Sequence, residues 1–595
     1  MRRALIAGPA AALLSVQIAL FVALSGRGLD LTDESYYLLN YQHWQGFTAQ
    51  VTFFGAYFAL PFRWLGGDVA AMRVFGLLLL LASGAVFTWR AMVFGRDPRQ
   101  AMPLPWLYIA PGMTGAMFYF SYLTTLRLPS YNLVVVVCAL LSSALLLVLA
   151  DGAGSRLRLA LMAFAYGVVL GACALNKATS ALALAFCHVV FLLCFARLNR
   201  LPEWVVLALL GVGLNLVGLQ LAQPHWLDVL REGVQLTTLL DSRHTAMPFA
   251  GHWDAVLRGA VRVLPVLAVA GLLFVGVVRR WGRSHRAVLS TGVLLLVGGL
   301  MVTIQWPGYG KWWWVLVLFG TLLLWLAERL CRDQQLPRWR DVRAGVGLSV
   351  LLFALPICGS MGTNNDLPSH TQIAAVFGVV ALMLPLRRLH TLGLIHGVAL
   401  SLALAMPGLP VLAAQWRALS DPAFTYRLRT GLLDQDAVIT LGPQAQPLRL
   451  DGVTRDSMVA LRRQLAEAGF RAGDPMLDAT GDSPGLVYVL GGRPLGVAWL
   501  IGGYPGSERV AARVLDSVPV ADLRRAWVLS GDAQPRALHG LLSALRQRTG
   551  EPGPEALFSF DYEAPYRPAG AASAPPRLTL WRPAMPLLGA ASSPG

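Results

Sequence analysis

Charge is scarce in this chain of 595 residues: 14% are Asp, Glu, Lys or Arg, and 56% are hydrophobic. A soluble globular protein carries about 25% charged residues, so a soluble enzyme is excluded, and a disordered chain with it. Six cysteines form no disulfide framework. No GxxxxGK[ST] loop occurs, which removes ATP-driven transport of the P-loop kind. Lysine is the scarcest charge. Only Lys177 and Lys311 stand against 47 arginines, so arginine serves wherever a generic cation suffices.

What the sequence has instead is long apolar runs. A membrane span needs about 20 such residues. Thirteen segments qualify: 4–26, 70–94, 102–121, 131–150, 157–175, 178–197, 203–222, 256–279, 287–305, 312–330, 343–360, 371–387 and 391–414. Segment 51–66 is short and aromatic, with Pro61 and Arg63 inside it, and reads as an interfacial or re-entrant helix. The first run is longer than the apolar core of a signal peptide and reads as an uncleaved anchor.

Charge then sets the orientation. The net charge of +17 invites a nucleic-acid partner, but 415–595 holds 17 acids and 19 arginines, so the excess lies in 1–414. There it sits in alternate short loops. Thirteen spans with the N-terminus inside place twenty arginines in one set of loops, and seven basic residues in the other: Arg27, Arg63, Arg127, Lys177, Arg231, Arg243 and Lys311. That bias predicts N-in and C-out. Short loops and an uncleaved anchor suggest a bacterial inner membrane, which makes the C-terminal part periplasmic. The expected fold class is therefore a polytopic α-helical membrane protein of about thirteen spans (1–414). A small α/β domain (415–585) and a loose tail (586–595) follow.

The unusual polar segments collect on the outer side. The first outer loop, GLDLTDESYYLLNYQHW (28–44), carries Asp30, Asp33 and Glu34 followed by Tyr36 and Tyr37. A carboxylate there can take a proton from a hydroxyl or hold a divalent cation; the bland alternative is that Asp33 caps a helix. Lys177 and Lys311 each open a span on this side, and a compact ammonium suits a phosphate. Outer loop 223–255 holds His225, His244 and His252 with Asp228, Asp241 and Asp254 but no HExxH spacing, so a polar acceptor groove is favoured over zinc. Trp306, Trp312, Trp313 and Trp314 read as an interfacial belt.

In the C-terminal part, 437–441, 475–479 and 525–530 read as strands, and 454–470 and 535–548 as helices. The Gly-rich stretches 481–485, 490–493 and 501–509 read as turns rather than a phosphate cradle. Without cysteine, this domain is expected to fold on its own core.

The DE pair with its following aromatics, just after the first span, resembles the GT-C superfamily of integral-membrane glycosyltransferases. The nearest branches look like protein O-mannosyltransferases and the lipid A aminoarabinose transferase. FFGAYFALPFRWLGGDVAAMRVFG (53–76), LPSYN (128–132) and GACALNKATS (171–180) are similar to further segments of such enzymes. The resemblance covers roughly 1–200. It implies a sugar donor on a polyprenyl phosphate and an acceptor hydroxyl on a glycan, lipid or protein. The hydroxyl attacks with inversion at the anomeric carbon, and no nucleic acid takes part. Carried over by position, Asp33 is the catalytic carboxylate, acting as base, with Glu34 its partner, and Lys177 falls where a basic residue can meet the lipid phosphate. Lys311 and Arg127 are further cations on this side that would stabilise the departing phosphate. Asp30, Tyr36, Tyr131 and His244 stand as acceptor-side or supporting residues. Asp30-Leu31-Thr32-Asp33 is not a DxD metal motif, so metal dependence stays open. A transporter of lipid-linked sugars and a non-catalytic envelope assembly protein are the competing readings. No internal repeat supports the first of these.

Overall fold

The computed structural model describes residues 2–95, 105–122, 126–152, 154–195, 198–240, 249–281, 285–305, 312–331, 339–362, 365, 367–442, 445–531, 534–550, 553–562 and 576–583. Eleven described helices are long and apolar enough to cross a membrane. They match eleven of the thirteen expected runs. The other two runs form shorter helices among the described residues, Ile109–Tyr122 and the apolar stretch Ala344–Ser360. Segment 51–66 contains the eleven-residue helix Phe54–Trp64. At about 1.5 Å per residue, that is about half the hydrocarbon thickness of a bilayer, as its aromatic, Pro-interrupted sequence suggests.

The outside of the bundle carries many large apolar side chains. Leu182, Phe186, Leu221, Leu272 and Val398 are each at least 70% exposed. Surfaces of that kind are tolerated only where lipid covers them, and helices satisfy their own backbone groups there. The protein is a multi-pass membrane protein.

The helix ends sort into two sets. At one end lie Arg90–Asp151, Arg156–Glu203 and Arg388–Glu328, ion pairs beside the Arg-rich loops. At the other end lie the first loop, the start of helix Tyr131–Asp151, Lys177 and the α/β unit. This unit begins after helix Gly408–Ser420. Hairpin β1 (Ala437–Leu441) and β2 (Gln446–Leu450) precedes a five-stranded sheet. The sheet order is β4 (Arg493–Pro494), β3 (Pro475–Asp478), β5 (Trp527–Gly531), β7 (Arg577–Arg582), β6 (Glu555–Asp561). β3 is parallel to β4 and β5, and β7 is antiparallel to β5 and β6. Burial of every residue of β3 and β5 explains why these two were readable as apolar runs.

The core of the α/β unit continues into the membrane half. One cluster of buried apolar side chains runs from Leu77 and Val380 in the spans, through Leu31 and Tyr37, to Ile439, Tyr488 and Leu578. A second joins Ala49 and Leu236 to Leu477, Val514 and Leu541. The second is built almost wholly from the unit's own residues, whereas the first extends its packing into the membrane half. The reading of Trp312 and Trp313 is corrected. They are buried, and Trp313 donates to Thr371 Oγ1 at 3.2 Å, so they pack helices together instead of forming a belt.

Candidate active site

The first loop is tied down from both sides. The amide of Gly28 donates to Arg449 O at 2.8 Å, and the amide of Arg449 to Gly26 O at 2.9 Å, so the loop runs along β2. The amide of Gly485 donates to Leu31 O at 2.8 Å. Helix Asp33–His43 then starts with Thr32 at its N-cap, but the Thr32 side chain makes no capping bond. Asp30 supplies it instead. Its carboxylate accepts from the amides of Thr32 and Glu34, both at 3.2 Å, and from Thr32 Oγ1 at 2.8 Å. Asp30 is buried, and desolvation, then the nearby Asp33 charge, pushes its carboxyl up to about 7.

Glu34 is fully buried and accepts five hydrogen bonds. They come from Nε and Nη2 of Arg73, itself buried, and from the amides of Asp30, Arg127 and Leu128. Such a carboxylate has its lone pairs filled. Its arrangement is that of a keystone joining the first loop, helix Val69–Val93 and loop 126–130. Arg127, expected at the lipid phosphate, is 3% exposed. Its guanidinium donates to Leu24 O at 2.7 Å and lies over Phe21. It belongs to this buried knot and faces no open space.

Asp33 differs from its neighbours. It is the first residue of its helix, and its side chain is 27% exposed. Because Asp30 caps the helix, Asp33 is free of that task. The Tyr426 hydroxyl donates to its Oδ2 at 2.6 Å, and Arg427 Nη1 does so at 3.3 Å. Aromatic rings line one side. Tyr36 lies 5.8 Å from Phe54 and 6.2 Å from Trp499 of the α/β unit, and Tyr37 lies 6.5 Å from Tyr131. On the other side, Asp482 and Arg427 interact electrostatically. The charges of Asp482, Asp478 and Asp30 act on the buried Tyr562. Asp478 repeats the Asp30 motif: it accepts from the Thr480 amide and hydroxyl and from the Ser483 amide, and burial pushes it up to about 7.

Lys177 sits between helices Arg156–Asn176 and Ala178–Phe195. It is 7% exposed, and its Nζ donates to Gly359 O at 3.0 Å. Among the described residues no hydrogen bond or ion pair joins it to Asp33. The two are linked through packing: Tyr37 against Phe54, then the Phe53 amide on Leu175 O at 3.1 Å. Lys311 and His244 lie outside the described residues, as does Asp241. His225 precedes helix Trp226–Leu239, at the far side of that packing. No group of three or more His, Cys, Asp or Glu among the described residues is arranged to hold a metal ion.

No family model and no curated protein matches the chain. Among solved structures, it is similar to the cryo-EM structure of the arabinofuranosyltransferase AftD from mycobacteria, at 14% identity and a TM-score of 0.41. That likeness covers 96% of this chain and 40% of AftD, so the chain spans well under half the length of that protein.

Sequence reasoning singled out Asp33 and the aromatics beside it as candidates but did not place Tyr426, Arg427, Trp499 and Asp482 beside them. These come from 390 or more residues further along the chain. The only local sign was the repeated Asp-x-Thr of 30–32 and 478–480. The Gly-rich stretch 501–509 proves to be a packing device. A Cβ on Gly502 would lie 1.7 Å from Arg536 O.

Proposed function

We propose that this chain transfers a sugar from a polyprenyl-phosphate donor to an acceptor hydroxyl, on the periplasmic face of a bacterial inner membrane. The observation that carries the reading is Asp33. It is a partly exposed carboxylate at the start of its helix, bonded by Tyr426 and Arg427, with the Tyr36–Trp499 ring pair one turn further on. Asp33 acts as base toward the acceptor hydroxyl, which attacks the anomeric carbon from the face opposite the phosphate, with inversion. The leaving group is already a phosphate ester, so no nucleotide is needed.

Lys177 serves the departing phosphate. Its ammonium has three N–H bonds and one protein hydrogen bond. It stands at the start of helix Ala178–Phe195, where the helix dipole favours an anion. A desolvated cation aimed where negative charge grows is worth most in the transition state. Glu34 and Arg127 hold the first loop in place. Asp30 fixes the start of the Asp33 helix. Tyr36, Tyr131 and Trp499 offer apolar ring faces to a sugar or a prenyl chain. The twenty arginines of the opposite loops orient the site outward.

The test is made in the native host. Deleting the gene is expected to accumulate one lipid-linked sugar and to strip that sugar from an envelope glycan. The wild-type chain restores both, and Asp33→Asn, inserted at wild-type level, restores neither. Lys177→Ala is expected to impair restoration far more than Lys177→Arg. Complementation by Asp33→Asn would remove Asp33 from the chemistry. Unchanged lipid and glycan pools in the deletion strain would sink the transferase reading.

A further inference from the structure

Asp33 is held on one side only. Oδ2 takes both donors, Tyr426 and Arg427, whereas Oδ1 receives no hydrogen bond among the described residues. Both donors come from segment 421–434, the strap between the last spanning helix and β1. The strap is bound tightly where it crosses the loop. Arg427 also donates to Thr32 Oγ1, and its guanidinium lies 4.6 Å over the Tyr426 ring. Burial keeps the Tyr426 hydroxyl protonated, as a donor must be. Arg427 adopts φ +54°, a left-handed conformation costly for a residue with a Cβ. Strain of this kind persists where the surroundings fix it, and it concentrates at functional sites.

We propose that Tyr426 and Arg427 are positioning residues for Asp33, so that the strap of the α/β unit, and not the membrane helices alone, sets the geometry of the base. Two donors on Oδ2 fix the carboxylate plane and leave Oδ1 as the oxygen that meets the acceptor. In the transfer step the acceptor O–H proton passes to Oδ1 while the acceptor oxygen bonds to the anomeric carbon. The bond from that carbon to the phosphate oxygen breaks, and its electron pair leaves with the polyprenyl phosphate. Docking of the α/β unit and competence of Asp33 are then one event. This inference rests on the reading of Asp33 as the base.

The experiment uses the full chain in proteoliposomes. A panel of radiolabelled polyprenyl-phosphate pentoses and hexoses supplies donors, and an envelope extract of the deletion strain supplies the acceptor. Tyr426→Phe removes one hydroxyl. Arg427→Gly removes the cation at a position whose backbone suits glycine, so folding is retained, as thermal midpoints will report. Both are expected to lower kcat about ten- to a hundredfold, the scale of a lost charge-assisted hydrogen bond. Donor KM should stay within about twofold, and Arg427→Lys should fall between. Wild-type kcat in both Tyr426→Phe and Arg427→Gly, with Asp33→Asn dead, overturns the positioning role and leaves the base. A raised kcat also overturns it, because the strap would then be a plug. Full activity of Asp33→Asn instead overturns the base assignment beneath it.

Discussion

Three acids within five residues have three different tasks, and environment separates them. Asp30 caps, Glu34 pairs with Arg73, and only Asp33 keeps an open oxygen. Removing one partner of a buried ion pair costs about 3–5 kcal/mol, because the other charge is left alone. Glu34→Gln is therefore expected to lower the thermal midpoint in detergent sharply; an unchanged midpoint with lost transfer would make Glu34 catalytic. The raised carboxyls give a pH dependence. Asp30 and Asp478 stand at about 7 in the fold, against an ordinary 3.8. Between those values the folded protein holds protons that the unfolded chain has released. Stability then falls as pH rises through that window and levels off above it. Thermal midpoints at about pH 5 and pH 8 should show the drop, and Asp478→Asn should reduce it. That acids cluster in the first loop was legible in the sequence. Which member is open was not, because Arg73, Tyr426 and Arg427 are remote in the chain.

At the scale of elements, the spans were legible because lipid makes a single demand, length and apolarity, on every helix. In the α/β unit, β3 and β5 were legible as runs buried on both faces, β1 by its alternating burial, and helix Gly452–Glu467 by its apolar period. β6 escaped because an exposed antiparallel edge carries mixed side chains; β7 lies inside the sheet, but its buried stretch, Leu578 to Leu580, is too short a run to stand out. Helix 535–548 was placed too early: the structure starts it at Leu541, after turns that a pattern of apolar residues does not mark. The docking of helix Pro484–Leu490 on the first loop depends on a missing side chain. A Cβ on Gly485 would lie 2.6 Å from Leu31 Cα, a backbone atom that cannot swing away. Gly485→Ala is expected to push the α/β unit off the loop at a cost of about 1–3 kcal/mol, read as faster protease release of that unit from membranes. Wild-type resistance would mean the contact does not hold the unit.

For the whole molecule, the contact between Asp33 and the strap requires the first loop and the α/β unit to share one side of the membrane. In the orientation proposed from the arginine bias, that side is the periplasm. In a background without native cysteines, an impermeant maleimide on intact spheroplasts should label Glu467→Cys on the α/β unit. It should not label Thr391→Cys at the opposite helix ends; the reverse pattern would invert the topology. The central claim, a base in the first loop that acts after the donor is bound, is tested most directly by separating binding from turnover in Asp33→Asn. Purified protein in nanodiscs is titrated with the polyprenyl-phosphate sugar that the wild type consumes. The prediction is a donor Kd within about twofold of wild type, with turnover lower by at least about a hundredfold. Turnover near the wild-type rate, or loss confined to donor binding, would contradict it.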